Sequence, residues 1–207
     1  PGTDGLLVLS LVHTLLKKKK IDLDYLQNFT NSPFLVSVTS TNDSKGLFLR
    51  DKDGFPLVID HFSGELKRFS DKGVKPSLTK SYSNHEGSFK TVFSLLTEKY
   101  LDKSYSPKSV APQCGLKEEQ ILSLADDIAT TAFNKSTFIE QSWEDFRGEK
   151  RSGFTGRPVS FHAMRGISAH SNGFQTCRAI HLLQILIGSV DVPGGFRYKP
   201  PYPKPFD

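Results

Sequence analysis

An α/β fold is predicted for this 207-residue chain by three observations. Leu6 to Leu16 is apolar on nearly every side, as in a helix packed over most of its surface. Short strand-like runs separated by turn signals fill residues 35–87. Val159 to Arg165 reads as an apolar strand, followed by the glycine-bracketed loop Gly166 to Gly173 and a helical run from Gln175 to Ile187.

Taken in order, Gly2-Thr3-Asp4 supplies a turn and a cap before the first helix. Lys17 to Lys20 closes that helix, where cations complement its dipole. Asp22 caps a short second helix with Leu23, Leu26 and Phe29 as its apolar stripe. Phe34 to Val38, Leu47 to Arg50 and Pro56 to Ile59 read as strands, with a hairpin-type turn at Asp51-Lys52-Asp53-Gly54. Their shortness predicts a β excursion on the surface. Helical spacing returns over Ser88 to Tyr100, through Phe89, Val92, Phe93, Leu95 and Leu96. Tyr105-Ser106-Pro107 starts a short turn with Val110 and Ala111 apolar. Glu118 and Glu119 then open an amphipathic helix bearing Ile121, Leu124, Ala125, Ile128, Ala129 and Ala132, expected to pack on a sheet. Pro158 suits the start of a strand, and Asn172-Gly173 suits left-handed backbone before the last helix. Gly188 stops that helix, and Val192-Pro193-Gly194-Gly195 forms a second turn.

The net charge of +5 suits a polyanion, but no basic stripe alternates with aromatic residues, so nucleic acid is not the expected partner. Cys114 and Cys177 match no metal spacing and are expected as free buried thiols in a reducing compartment. His and Cys do not cluster, and no metal site is expected. No stretch reaches the length of a membrane span. The chain starts without Met and ends Pro-rich, which is expected of a piece of a longer or processed protein.

Candidate binding residues fall in two loops that each precede a helix: Gly2, Thr3 and Asp4, and Arg165, Gly166, Ala169, His170, Ser171, Asn172 and Gly173. Helix N-termini offer free N–H groups to anions. Arg165 suits a phosphate or a base edge, and equally a carboxylate partner. His170 suits a ligand contact or a backbone bond within its loop. Ser171, Asn172 and Gly173 suit an oxyanion or simply a turn. Asp4 suits a helix cap or, through its two oxygens, the N–H edge of a guanine. No catalytic arrangement, P-loop or dinucleotide glycine pattern is present, and no catalytic residue is assigned.

Several blocks resemble a known family. Pro1-Gly2-Thr3-Asp4-Gly5-Leu6-Leu7, Ile21-Asp22-Leu23-Asp24-Tyr25-Leu26 and Tyr105-Ser106-Pro107 with Cys114-Gly115-Leu116 follow its order. So do Gly166 to Gly173, as GxxxHxxG, and Gly188 to Gly195, as GxxxxPGG. Together they resemble catalytic subunits of molybdenum oxidoreductases of the dimethyl sulfoxide reductase family. The nearest likeness is to thiosulfate, tetrathionate and polysulfide reductases and sulfite dehydrogenases, around Arg157-Pro158-Val159 and His162-Ala163-Met164-Arg165. The resemblance implies an interior Rossmann-like layered domain lining molybdenum-bis(molybdopterin guanine dinucleotide). Asp4 would contact guanine, and Arg165 with the loop Gly166 to Gly173 would line pterin and diphosphate. A 4Fe-4S cluster would lie in a further N-terminal part, and this stretch alone would be inactive. Implied partners are the remainder of the catalytic subunit, a membrane-anchor subunit, and an iron–sulfur electron-transfer subunit. The implied location is the cytoplasm, at the inner membrane face through those subunits, with the periplasm as the other option. Ala169 stands where many formate and nitrate enzymes carry glutamine, which favours sulfur chemistry. On this reading residues 1–34 start the core, 35–87 form the β excursion, 88–195 complete the core, and 196–207 lead to a C-terminal part.

Overall fold

A computed structural model of the chain describes residues 2–40, 44–163 and 165–196. Pro1, Met164 and the Pro-rich stretch from 197 lie outside these residues.

The chain is mixed α/β, with its main core made by helices. Helix α1 (Asp4–Lys17) runs through the centre, and Leu11, Val12, Leu15 and Leu16 are all buried. Burying each such side chain contributes about 1.5–3 kcal/mol. Lys17 to Lys20 face water, and Lys18 Nζ reaches Asp126 at 2.5 Å. Asp22 caps α2 (Leu23–Phe29) by accepting from the Tyr25 N–H at 3.0 Å. Only Leu26 of the expected α2 stripe is buried, while Leu23 and Phe29 face outward.

The β excursion consists of β1 (Leu35–Ser40), β2 (Leu57–Ile59), β3 (Leu66–Arg68), β4 (Tyr82–Asn84) and β5 (Gly87–Thr91). All its pairings are antiparallel, in a β1-β5-β4 sheet and a β2-β3 ribbon. Leu35, Ile59 and Phe89 form a small second core there. The predicted helix over Ser88 to Tyr100 is therefore half strand. Phe89 pairs within β5, and α3 (Val92–Tyr100) starts only after Thr91, whose hydroxyl accepts from the Ser94 N–H at 3.1 Å.

Helices α4 (Pro107–Cys114) and α5 (Glu118–Ala129) pack on α1 and on each other, so α5 does not lie on a sheet. Leu124, placed on its apolar face by periodicity, points outward. A π-helical turn, Thr130–Asn134, extends α5. Two small antiparallel pairs follow, β6 (Thr137–Ile139) with β9 (Phe154–Gly156), and β7 (Trp143–Glu144) with β8 (Lys150–Arg151).

The predicted strand from Val159 to Arg165 is not formed among the described residues. Residues 157–163 have no regular structure and no strand beside them, the Val159 N–H turning back to the Arg157 carbonyl at 2.8 Å, and Arg165 starts the short helix α6 (Arg165–Ser168). Val159 joins the helical core as a single buried side chain. With no sheet to receive them, the helices pack on one another. A layered core built on that strand is thus replaced by α1 surrounded by α3, α4, α5 and α7 (Gly173–Leu186).

Helices α1 and α7 lie side by side and run in the same direction. Gly5 faces Thr176 in their first turns. Beyond their far ends, the Asp22 N–H donates to the Leu186 carbonyl at 2.8 Å. Arg157 reinforces that end. Its Nη2 and Nε donate to Asp22 at 2.6 and 3.2 Å, its Nη1 donates to the Ala132 carbonyl at 3.0 Å, and it stacks over Phe133. A second arginine ties the β excursion to α2. Arg147 is buried, donating to the Phe69 carbonyl at 2.9 Å and to Asn28 at 3.1 Å, with its guanidinium against the rings of Phe69 and Phe146, which stack on each other. Burial lowers its pKa, opposed by the nearby Asp145 and Glu149 carboxylates.

Candidate functional site

The pairing of α1 with α7 brings the two predicted loops together. Asn172 Nδ2 donates to the Gly2 carbonyl at 3.4 Å, across 170 positions of sequence. Both helix starts open at this end. Thr3 and Asn172 occupy the cap positions, yet neither side chain accepts a hydrogen bond from its helix. The first-turn N–H groups of two parallel helices thus point the same way, and their dipoles add. Asp4 is the first residue of α1, is exposed, and does not cap it.

Gly2 needs its glycine for conformation, at φ 83°. Gly173 needs its own for space. It is not in the left-handed region that Asn172-Gly173 was expected to supply, and a Cβ there would overlap the Ser168 carbonyl. That close approach folds α6 against the start of α7. The Gly173 N–H donates to the His170 carbonyl at 2.9 Å, and Ser168 Oγ donates to the Arg165 carbonyl at 3.0 Å.

Arg165, Gly166, Ala169, His170, Ser171 and Asn172 are exposed, Gly2 and Thr3 are half-buried, and Gly173 is buried. Among the described residues, neither the Arg165 guanidinium nor the His170 ring has a hydrogen-bond or ion-pair partner. The local backbone bond considered for His170, and the carboxylate partner considered for Arg165, are not formed there.

Two nearby features escaped the sequence reading. Cys114, half-buried and not fully buried as expected, places its Sγ 3.8 Å from the Thr3 carbonyl. No spacing rule signals a contact across 111 positions. Phe174 stands in the first turn of α7 with 73% of its surface exposed, against the usual burial of phenylalanine.

Backbone N–H groups, a guanidinium, an imidazole and an amide all donate, which is the chemistry an anion such as a diphosphate requires. The Asp4 carboxylate is the complementary acceptor. The site is an open surface. A concavity of about 450 Å³ lies elsewhere, between α2, α3 and the β excursion, lined by Leu23, Gln27, His61, Phe62 and Phe93 among others. Among the described residues no three His, Cys, Asp or Glu side chains stand close enough to hold a metal ion. No helix among them is long and apolar enough to cross a membrane.

Comparison with known proteins shows homology to oxidoreductase subunits of the kind the sequence resembles. The chain is 36% identical to a sulfite dehydrogenase subunit of Allochromatium vinosum, over 99% of this chain and 22% of that subunit. It is 25% identical to the alpha subunit of formate dehydrogenase 2 (cytochrome c-553) of Nitratidesulfovibrio vulgaris, over 94% of this chain and 16% of that one. The formate dehydrogenase major subunit of Haemophilus influenzae is 23% identical over the same shares, 94% and 16%. The chain therefore spans less than a quarter of each relative's length. No family model matches it.

Proposed function

We propose that this chain is part of the catalytic subunit of a molybdenum oxidoreductase acting on inorganic sulfur compounds: sulfite, thiosulfate, tetrathionate or polysulfide. Its role there is to hold the nucleotide arm of a molybdopterin guanine dinucleotide. The observation that carries this reading is the meeting of the Gly2 and Asn172 loops at the uncapped starts of α1 and α7. Two homology-bearing loops, far apart in sequence, form one donor-rich surface.

In this reading the helix N–H groups and Arg165 bind the diphosphate, His170 and Asn172 orient it, and Asp4 accepts from the guanine N–H edge. The residues fit the group through their donor chemistry. When bound, the cofactor and its metal supply two-electron redox chemistry. This chain supplies walls, charge and orientation. A 4Fe-4S cluster, a membrane anchor and an iron–sulfur subunit belong to the same proposal for the whole protein.

The sulfur assignment is supported by the 36% identity to a sulfite dehydrogenase subunit, against 25% and 23% to formate dehydrogenase subunits. Those two relatives keep a formate dehydrogenase-like activity as the second reading. A free-standing nucleotide-binding module is a third, favoured by the chain's own helical core. The test is Asp4→Ala in the full-length protein, with molybdenum and guanine nucleotide measured after purification. Reduced content with an unchanged thermal midpoint is expected, and wild-type content would contradict the assignment. Dye-linked assays with sulfite, thiosulfate, tetrathionate and formate then choose among the substrates.

A further inference from the structure

Helix α1 ends in a way that frees its lysines. The Lys18 N–H donates to the Thr14 carbonyl at 2.9 Å, the Lys19 N–H to Leu16 at 3.0 Å and the Lys20 N–H to Leu15 at 2.9 Å. The last two bonds are the crossed pair that closes a helix through a left-handed residue. That residue is Lys19, at φ 55°. Glycine adopts this backbone without steric cost, and lysine does not. Because the backbone itself satisfies the helix end, the ammonium groups are not needed as caps. Lys17 to Lys20 are all exposed, and among the described residues only Lys18 has a carboxylate partner, Asp126.

A second segment widens the cluster. His13 lies one turn before Lys17 on the same face of α1, and its Nδ1 donates to the Tyr100 carbonyl at 2.9 Å. That bond holds the turn after α3 against α1, and Lys99, Leu101 and Lys103 are exposed there. Asp102 in the same turn is occupied by the N–H and hydroxyl of Ser104. Every cation of the cluster is a lysine. Protein interfaces favour arginine, whose planar fork pairs with carboxylates, and are depleted in lysine. A lysine ammonium keeps its water and acts as a point charge, which suits a diffuse, hydrated layer of anions.

We propose that the end of α1, with the turn after α3, is a docking face for an anionic lipid surface. The lysines draw this face to the headgroups, and Leu101 meets the headgroup layer without spanning the bilayer. The strained backbone at Lys19 keeps a charge where glycine would leave none.

The experiment sediments the purified full-length protein with vesicles of phosphatidylcholine alone, or of phosphatidylcholine with about one third phosphatidylglycerol. Binding is expected to the anionic vesicles only, and to be lost at high salt. Lys19→Gly should weaken it about fivefold, with the thermal midpoint unchanged or higher because glycine relieves the backbone. Lys19→Arg should preserve it. Lys17→Gln combined with Lys20→Gln should weaken it about twenty-five-fold. Lys52→Gln, an equal loss of charge in the β excursion, should leave it unchanged. Amine acetylation read by mass spectrometry should label Lys17 to Lys20 in free protein and spare them on anionic vesicles. No binding, equal binding to both vesicle types, or an equal loss from Lys52→Gln overturns the proposal. So does failure of these lysines to label without vesicles, which would put them beneath the rest of the polypeptide. Binding to a DNA duplex but to neither vesicle would assign the face to nucleic acid and overturn it likewise.

Discussion

Gly5 lies so close to Thr176 that a Cβ added to it would stand 2.8 Å from the Thr176 hydroxyl oxygen. The first turns of α1 and α7 are in near backbone contact here. A side chain would wedge them apart at the end that carries both loops. Gly5→Ala is expected to destabilise the chain by about 1–3 kcal/mol despite alanine's better helix propensity. Adding Thr176→Ala should recover part of the loss. Thermal unfolding of the two single variants and the double variant measures the coupling. An unchanged midpoint for Gly5→Ala would mean that the two helices do not approach as described.

The far end of the same helix pair depends on a guanidinium. Arg157 serves Asp22, the Ala132 carbonyl and the Phe133 ring at once, so a lysine with the same charge cannot replace it. Arg157→Lys is expected to cost about 1.5–3 kcal/mol. Asp22→Asn should cost a similar amount, because Asp22 also caps α2. Chemical denaturation of both variants and their combination should show clear non-additivity. Fully additive losses would remove the pair as a unit.

Acid stability has an identified contributor. Asp60 is buried and accepts from the Ser63, Phe62 and Lys75 N–H groups. Chiefly through the bonds from Ser63 and Lys75, its pKa falls from 3.8 to about 2. A folded-state value below the unfolded one adds stability that is fully present above the unfolded pKa. That contribution disappears as pH falls through the folded value. Between pH 4 and 2, the wild-type chain should therefore lose stability more steeply than Asp60→Asn. Urea midpoints across that range test the slope, and parallel curves for the two proteins would reject the assignment.

Arg165 offers a planar fork from a short helix against the start of α7. Under the proposed function, Arg165→Lys should weaken ribose 5-phosphate binding about tenfold, and Arg165→Ala should weaken it further. Neither should alter the thermal midpoint, since the side chain is exposed and without a described partner. Unchanged affinity in both variants would remove Arg165 from the site.

Helices with buried faces were legible in the sequence. The apolar run in α1 and the spacing of Ile121, Ala125 and Ile128 in α5 follow directly from side-chain periodicity. Val159 to Arg165 misled because an apolar run becomes a strand only where a neighbouring strand can pair with it, and among the described residues none pairs with it. Phe89 fits helical and alternating spacing equally, and β1 and β4 decide between them by pairing with β5 on both sides. The two loops were visible separately as glycine-rich punctuation. Their meeting was not, because it follows from the parallel packing of α1 and α7. Arg147 was invisible for a related reason. Nothing local says that an arginine will be buried when its acceptors are carbonyls of Phe69 and Val74, more than seventy positions away.

The bond between Asn172 and Gly2 also has a meaning in time. During synthesis at about 5–20 residues per second, the α1 half of the surface waits roughly ten to thirty seconds for the α7 half. The separation of 170 positions also makes this one of the most distant contacts in the fold. Such closures give a chain slow kinetics, because ordering entropy must be overcome before the contact stabilises anything. A phosphate-bearing ligand placed across the seam would bind only after closure, and by mass action it would hold the seam shut.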